Sequence, residues 1–121
     1  MTVAFDYSLS SDTRVLITGG TSGIGRAVAA AFAARGARVT ATGATLHEVE
    51  SARREPGLER VECAVLDVRD GQAVRDFASC FQELDVLVNC AGIIRRGAEL
   101  VDPAVFVDVV DTNLNGTMRM C

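Results

Sequence analysis

The stretch Arg14-Val-Leu-Ile-Thr-Gly-Gly-Thr-Ser-Gly-Ile-Gly-Arg26 decides the fold. Val15, Leu16, Ile17 and Thr18 make an apolar, largely β-branched run of strand character, and glycines follow at 19, 20, 23 and 25. Beyond them the apolar period changes. Ile24, Val28, Ala31 and Phe32 fall at i, i+4, i+7 and i+8, the spacing of one helical face. The order is therefore strand, glycine-rich turn, helix. Such a turn lets the backbone double back and approach a ligand that a Cβ would block. The helix behind it aims unpaired N–H groups and its positive dipole end into the loop, which favours an anion such as a pyrophosphate.

Outward from that turn, residues 3–12 read as a short leader in which Tyr7 and Leu9 pack on the first strand. The first helix ends at Arg35-Gly36, with glycine where a left-handed cap is wanted. Residues 38–42 read as a second strand, and Thr45-x-x-Glu48 as a capping box that starts a second helix, closed by Pro56-Gly57. Residues 61–68 form a third strand. Asp70 caps the next helix, whose stripe is Val74, Phe77, Ala78 and Phe81. The apolar run 84–88 has the composition of a strand covered by helices on both faces. Asp102-Pro103 opens a last helix with Phe106, Val110, Asn113 and Thr117 on one side. Alternating strands and helices predict an α/β fold, a doubly wound parallel sheet in the order 3-2-1-4 with helices on both faces.

Composition bounds the function. Of 121 residues, 49% are hydrophobic, enough for one domain with a real core. The net charge of −4 gives no sign of a nucleic-acid or membrane-surface partner. No apolar run approaches the ~20 residues of a membrane span. The polar N-terminus lacks the layout of a signal peptide, so a cytoplasmic protein is expected. The cysteines at 63, 80, 90 and 121 make no Cys-x-x-Cys pair, and His47 is the single histidine. No metal site and no disulfide framework are expected; the thiols read as reduced and mostly buried, and His47 as a surface residue. The chain has twelve arginines, no lysine and one tyrosine.

In a doubly wound sheet, ligands sit at the carboxyl ends of the strands near the switch point. Here residues 19–25, 43–45, 67–68 and 89–92 would line one crevice. Two motifs there carry a resemblance. Thr18-Gly19-x-x-x-Gly23-x-Gly25 resembles the glycine turn of the short-chain dehydrogenase/reductase family. Asn89-Cys90-Ala91-Gly92 is similar to that family's Asn-Asn-Ala-Gly signature, with Cys90 for the second asparagine.

The resemblance implies a Rossmann-type, NAD(P)-binding domain over residues 1–121. It also implies hydride transfer between a nicotinamide and an alcohol or carbonyl carbon. The cofactor residues would be Gly19, Thr21, Ser22, Gly23, Ile24 and Gly25 around the pyrophosphate, with Gly43 at the end of the second strand. Asp67 and Val68 would meet the adenine. Asn89 would border the cofactor, and Ala91 and Gly92 would leave room for the nicotinamide-side ribose. Asn113, within Asn113-Leu114-x-Gly116, resembles the asparagine of the catalytic Asn-Ser-Tyr-Lys set, where it holds a water in the proton relay. Plain structural roles suit some of the same residues: Asp67 as a cap, Asn113 as a core amide satisfied by backbone.

NAD and NADP are both open, because residues 42–45 hold neither an acid nor an arginine and Ser22 stands where many NADP-using relatives carry a basic residue. Ile93-Ile94-Arg95-Arg96 resembles a stretch of relatives that act on sugar acids; an arginine can pair bidentately with a carboxylate, and both arginines also suit a solvated surface. An oxoacyl substrate is the other option. The resemblance covers only the first half of a family member. The serine and the Tyr-x-x-x-Lys pair are absent, and the chain reads as the incomplete cofactor-binding part of a larger enzyme, ending inside the helix that carries Asn113. The whole enzyme would take a small carbonyl or alcohol substrate and form a homo-oligomer, a dimer or tetramer. A nucleotide-binding fragment or interaction module with no activity of its own is the alternative.

Overall fold

A computed structural model describes residues 4, 6 and 8–121. Along the chain follow β1 (Arg14–Thr18), α1 (Gly23–Ala34), β2 (Arg38–Gly43), α2 (Leu46–Ala52), β3 (Glu62–Val65), α3 (Gly71–Ala78) and β4 (Val86–Asn89). All three strand pairings are parallel and the order is β3-β2-β1-β4, as the alternation of elements predicts. Val15 lies between Val39 and Val86, and Ile17 between Ala41 and Val88. Together with Cys63 they make one apolar face, which Ala29 and Ala33 of α1, Val49 and Ala52 of α2, and Leu58 cover. Leu9 packs against this core as expected; the expectation for Tyr7 lies outside the described residues. Leu16 is buried on the alternate face of β1, where Phe77 of α3 lines one hollow with Thr40 and Ala64 of the neighbouring strands.

The buried seam of α1 differs from the expected one. Gly25, Ala29 and Ala33 are its buried residues, while Val28 and Phe32 flank them half-buried, Ala31 is exposed and Ile24 is 80% exposed. Small residues at i, i+4 and i+8 let the helix lie close on the sheet, so the larger side chains are displaced to the edges of the contact. Ile24 stands in the first turn, where side chains lean toward the N-terminus and so toward the glycine turn rather than the sheet.

Three helix starts carry the predicted caps. Thr45 and Glu48 form the full capping box of α2. The Asp70 carboxylate accepts from the N–H groups of Gln72 and Ala73, both at 3.0 Å. Asp102 accepts from Ala104 N–H at 2.9 Å ahead of α5 (Pro103–Val110).

The strand bounds shift for local reasons. β3 ends at Val65, short of the expected 68, because its partner β2 ends at Gly43. Leu66 N–H makes the last bond, to Gly43 O at 2.8 Å, and the chain then turns so that Asp70 N–H donates to Asp67 O. β4 starts at Val86 rather than 84: Asp85 N–H still donates to Arg14 O at 3.0 Å, but the Asp85 carboxylate takes Arg14 N–H at 2.7 Å, so no backbone carbonyl before Asp85 pairs with it. Phe81 lies past the end of α3, its ring 5.4 Å from that of Phe77. Among the cysteines only Cys63 is buried, whereas Cys80 and Cys121 are exposed and Cys90 is intermediate, so the thiols are less buried than expected. His47 is exposed, as read from the sequence.

The C-terminal helix is divided. A short α4 (Ala98–Val101), not foreseen, precedes α5; a π-helical turn over Asp111–Asn115 follows, then α6 (Gly116–Met120). The wider turn shifts the helical phase. Thr112 and Gly116 become the buried positions, while Phe106 is 56% exposed and Asn113 is exposed. The expected stripe of Phe106, Val110, Asn113 and Thr117 therefore does not form one packed face. A Cβ on Gly116 would run into the Val68 side chain, which fixes the close approach of α6 to the end of β3. Among the described residues β4 pairs only with β1, and all four of its residues are half-exposed in spite of their apolar composition. No described helix is long and apolar enough to cross a membrane.

Candidate functional site

A crevice of about 680 Å³ opens at the carboxyl ends of the four strands. That volume suits a small-molecule ligand, for which ~300–1,000 Å³ is usual. Every site residue read from the sequence lines it except Asn89. A second hollow, about 440 Å³, lies at the other end of the strands beside Phe77 and Phe81; none of its lining residues is a glycine, and its Arg14 is ion-paired to Glu83 at 2.8 Å.

The floor of the crevice is the turn after β1. Gly19 has φ +62, and a Cβ there would lie 2.7 Å from both Ala91 N and Cys90 O. A Cβ on Gly25 would collide with Gly19 O. The turn thus needs glycine at both positions, once for conformation and twice for space. Thr18 fastens it to the loop after β4: its carbonyl accepts from Cys90 N–H at 3.1 Å and its hydroxyl from Ala91 N–H at 3.2 Å.

α1 begins without a side-chain cap, since Ser22 is extended and its hydroxyl makes no cap bond. The first helical bond runs from Arg26 N–H to Ser22 O at 3.1 Å. The N–H groups of Gly23, Ile24 and Gly25 lie ahead of that ladder, beside the open crevice, with the positive end of the helix dipole. The residues present therefore fit a pyrophosphate: a cradle that side chains would fill, facing free donors.

At the end of β3, Asp67 is already engaged. Arg69 reaches it with Nε at 3.0 Å and Nη2 at 2.7 Å, and the Arg69 N–H donates to the same carboxylate at 3.0 Å. Those bonds from Arg69 hold the Asp67 carboxyl below the usual carboxylate range. Arg69 also bonds Asp108 of α5 at 2.6 Å, and its pKa is raised, first by the Asp67 bonds. One turn further on, Arg119 joins α6 to this corner. It bonds Asp111 at 2.6 Å and Val68 O at 3.1 Å, and the Asp111 carboxyl is lowered for that reason first. Sequence reading missed both arginines: the pairing of Arg69 with Asp67, two residues away, matches no helical spacing, and Asp108 and Val68 are brought to Arg69 and Arg119 only by the fold.

Asn113 lines the crevice opposite the turn. Its Oδ1 accepts from Ile93 N–H at 2.7 Å and its Nδ2 donates to Ile93 O at 3.0 Å. The amide clamps the loop after β4, the backbone partnership that a buried amide was expected to need, here at an exposed position. Its own carbonyl accepts from the Thr117 hydroxyl at 3.0 Å. Asn89 stands behind the crevice wall: its Nδ2 points to Cys121 Sγ at 3.7 Å, and its buried Oδ1 has no partner among the described residues. Arg95 lines the mouth and Arg96 is exposed beside it.

The family model for the short chain dehydrogenase matches residues 13–121. The chain belongs to the short-chain dehydrogenase family. Two curated relatives are the D-threitol dehydrogenase of Mycolicibacterium smegmatis, 35% identical over the whole of this chain and 49% of that protein, and sulfoacetaldehyde reductase 2 of Chromohalobacter salexigens, 38% identical over 88% of this chain and 45% of that protein. Among solved structures, 2-keto-3-deoxy-D-gluconate dehydrogenase from Streptococcus agalactiae is similar with a TM-score of 0.76, at 30% identity over 95% of this chain and 46% of that one. The chain spans about half the length of the curated relatives it matches. The four-stranded Rossmann-type sheet and the glycine turn lie within the residues that the family model matches.

Proposed function

We propose that residues 1–121 are the nucleotide-binding domain of an NAD(P)-dependent short-chain dehydrogenase/reductase. The whole enzyme moves a hydride between nicotinamide and an alcohol or carbonyl carbon. One observation carries this reading: the uncapped start of α1 and its glycine turn open into the same crevice as the other strand ends. In this reading the N–H groups of the turn at Gly19, Thr21, Ser22, Gly23, Ile24 and Gly25 take the pyrophosphate, and Gly43 lies beside the adenosine. Val68 and the lone pairs of Asp67 not taken by Arg69 meet the adenine. Ala91 and Gly92 leave space for the second ribose, with Asn89 bracing the strand end behind them. The bound nicotinamide supplies the hydride or accepts it. Asn113 fixes the loop at Ile93 and stands beside the reacting end, where it holds a water in the proton relay.

Arg95 makes no ion pair among the described residues and lines the mouth, which suits a substrate carboxylate such as that of a sugar acid; an oxoacyl substrate is the other class considered. Exposed apolar residues on α5 and α6, among them Phe106, Val107 and Met118, suit a homo-oligomeric whole enzyme.

The absence of lysine, with Tyr7 the single tyrosine, favours a second reading for the 121-residue chain taken alone: it binds nucleotide and transfers no hydride. Calorimetric titration with NAD+, NADH, NADP+ and NADPH tests the common claim. Binding of at least one is expected, and binding of none overturns it. Absorbance of reduced nicotinamide with a carbonyl substrate then separates the readings; turnover by the isolated chain would remove the second.

A further inference from the structure

We propose that Glu48 determines the choice of dinucleotide and makes this crevice select NAD over NADP; the inference rests on the nucleotide-binding reading above. Sequence inspection of residues 42–45 left the preference open because no charged side chain stands there. The fold brings one in from the next helix. β2 ends at Gly43 and α2 starts at Leu46, so Glu48 is the third residue of that helix. Its Oε2 turns back to accept from Thr45 N–H at 2.8 Å and from the Thr45 hydroxyl at 3.1 Å. The Glu48 N–H in turn donates to Thr45 Oγ1 at 3.3 Å. This box ties the carboxylate back to Thr45 at the start of α2, so that Glu48, although exposed, keeps a defined position on the crevice lining. A Cβ on Gly43 would lie 3.1 Å from Glu48 Cβ, so the glutamate is seated directly against the strand end.

Four charged residues line the crevice: Glu48, Asp67, Arg69 and Arg95. Arg69 belongs to the β3 end and is taken up by Asp67 and Asp108; Arg95 belongs to the mouth beyond β4. Glu48 is therefore the charge at the β2 end, with no guanidinium among the lining residues there. In a sheet of this kind the adenosine ribose lies just past the second strand. A carboxylate at that place accepts a hydrogen bond from a 2′-hydroxyl and repels a 2′-phosphate. The capping box fixes the side chain before any ligand arrives, so little ordering cost falls on binding.

The test is calorimetric titration of the chain with NAD+ and NADP+, repeated on Glu48→Gln and Glu50→Gln. Glutamine also completes a capping box, so Glu48→Gln keeps the helix start, which circular dichroism checks. Glu50 is exposed on the same helix and controls for net charge. The wild type should bind NAD+ about tenfold tighter than NADP+, and Glu48→Gln should tighten NADP+ by about tenfold while moving NAD+ less than about threefold. Glu50→Gln should move neither by more than about twofold. Equal affinity of the wild type for both dinucleotides, no gain for NADP+ in Glu48→Gln, or an equal gain in Glu50→Gln would each overturn the assignment while leaving the nucleotide crevice standing. Binding of neither dinucleotide by the wild type would overturn the crevice reading, and the assignment with it.

Discussion

On one side of the crevice, the turn between β1 and α1 is fitted to its surroundings by backbone. Gly19 touches the main chain of residues 90 and 91, Gly25 touches the Gly19 carbonyl, and Leu16, Ile17 and Thr18 behind them are 0–3% exposed. On the other side, β4 and the C-terminal helices are half-exposed, and side chains hold them: Asn113 on Ile93, Arg69 on Asp108, Arg119 on Val68 and Asp111. One wall depends on the absence of atoms and the other on the presence of polar ones. They should fail under different insults: the first under added volume, the second under lost hydrogen bonds and changed charge.

The largest effect is expected from added volume in the first wall. Gly25→Ala puts a methyl group onto the Gly19 carbonyl, which backbone cannot yield without moving the whole turn. A loss of about 3 kcal/mol or more is expected from overpacking of this kind, read as a lower urea midpoint, together with loss of dinucleotide binding. An unchanged midpoint would mean that the turn is softer than its contacts imply.

Asn113→Ala probes the second wall. It removes both bonds to Ile93, at 2.7 and 3.0 Å, and should cost about 1–2 kcal/mol, since the freed groups are near water. Faster hydrogen exchange of the Ile93 amide is the specific readout. Asn113→Asp keeps the acceptor for Ile93 N–H and loses the donor, so it should fall between wild type and alanine.

This contrast also governs how much of the molecule was legible in its sequence. The first wall was readable because glycine spacing, a β-branched run and helical periodicity are local signals, and so were the caps at Thr45, Asp70 and Asp102. The strand order followed from the alternation with right-handed crossovers, and so did the strand-end stretches that line the crevice, whereas Asn113 was picked out by the family resemblance. What stayed hidden is non-local. Arg69 meets Asp108 across 39 residues and Arg119 meets Val68 across 51. The π turn at Asp111–Asn115 left the same apolar letters in place while breaking the phase between Phe106 and Asn113, so the two no longer share one packed face. Ile24 fits the helical period and is exposed all the same, because the sheet contact is made through Gly25, Ala29 and Ala33.

Acid should separate the walls next. Asp67 and Asp111 are both held below the ordinary carboxylate value, first by their bonds to Arg69 and Arg119. A group with a lowered folded pKa stabilises the fold above its unfolded value and loses that contribution as pH falls through the folded one. Melting temperature should therefore decline below about pH 4, and less steeply in Arg69→Ala, which has already lost the Asp67 partner. Equal slopes would place the acid sensitivity elsewhere.

The smallest expected effect lies at the start of α1. Asp70→Ala removes a carboxylate that accepts two N–H groups, and should cost about 1 kcal/mol. Ser22→Ala occupies the corresponding cap position on α1 but deletes a hydroxyl that makes no cap bond, so a change within about 0.5 kcal/mol is expected. The two helix starts differ in what satisfies their donors: protein at Asp70, solvent or ligand at Ser22. A full cap penalty for Ser22→Ala in urea titration would mean that the serine does close the turn in solution, and the helix end would then have no donors to spare for an anion.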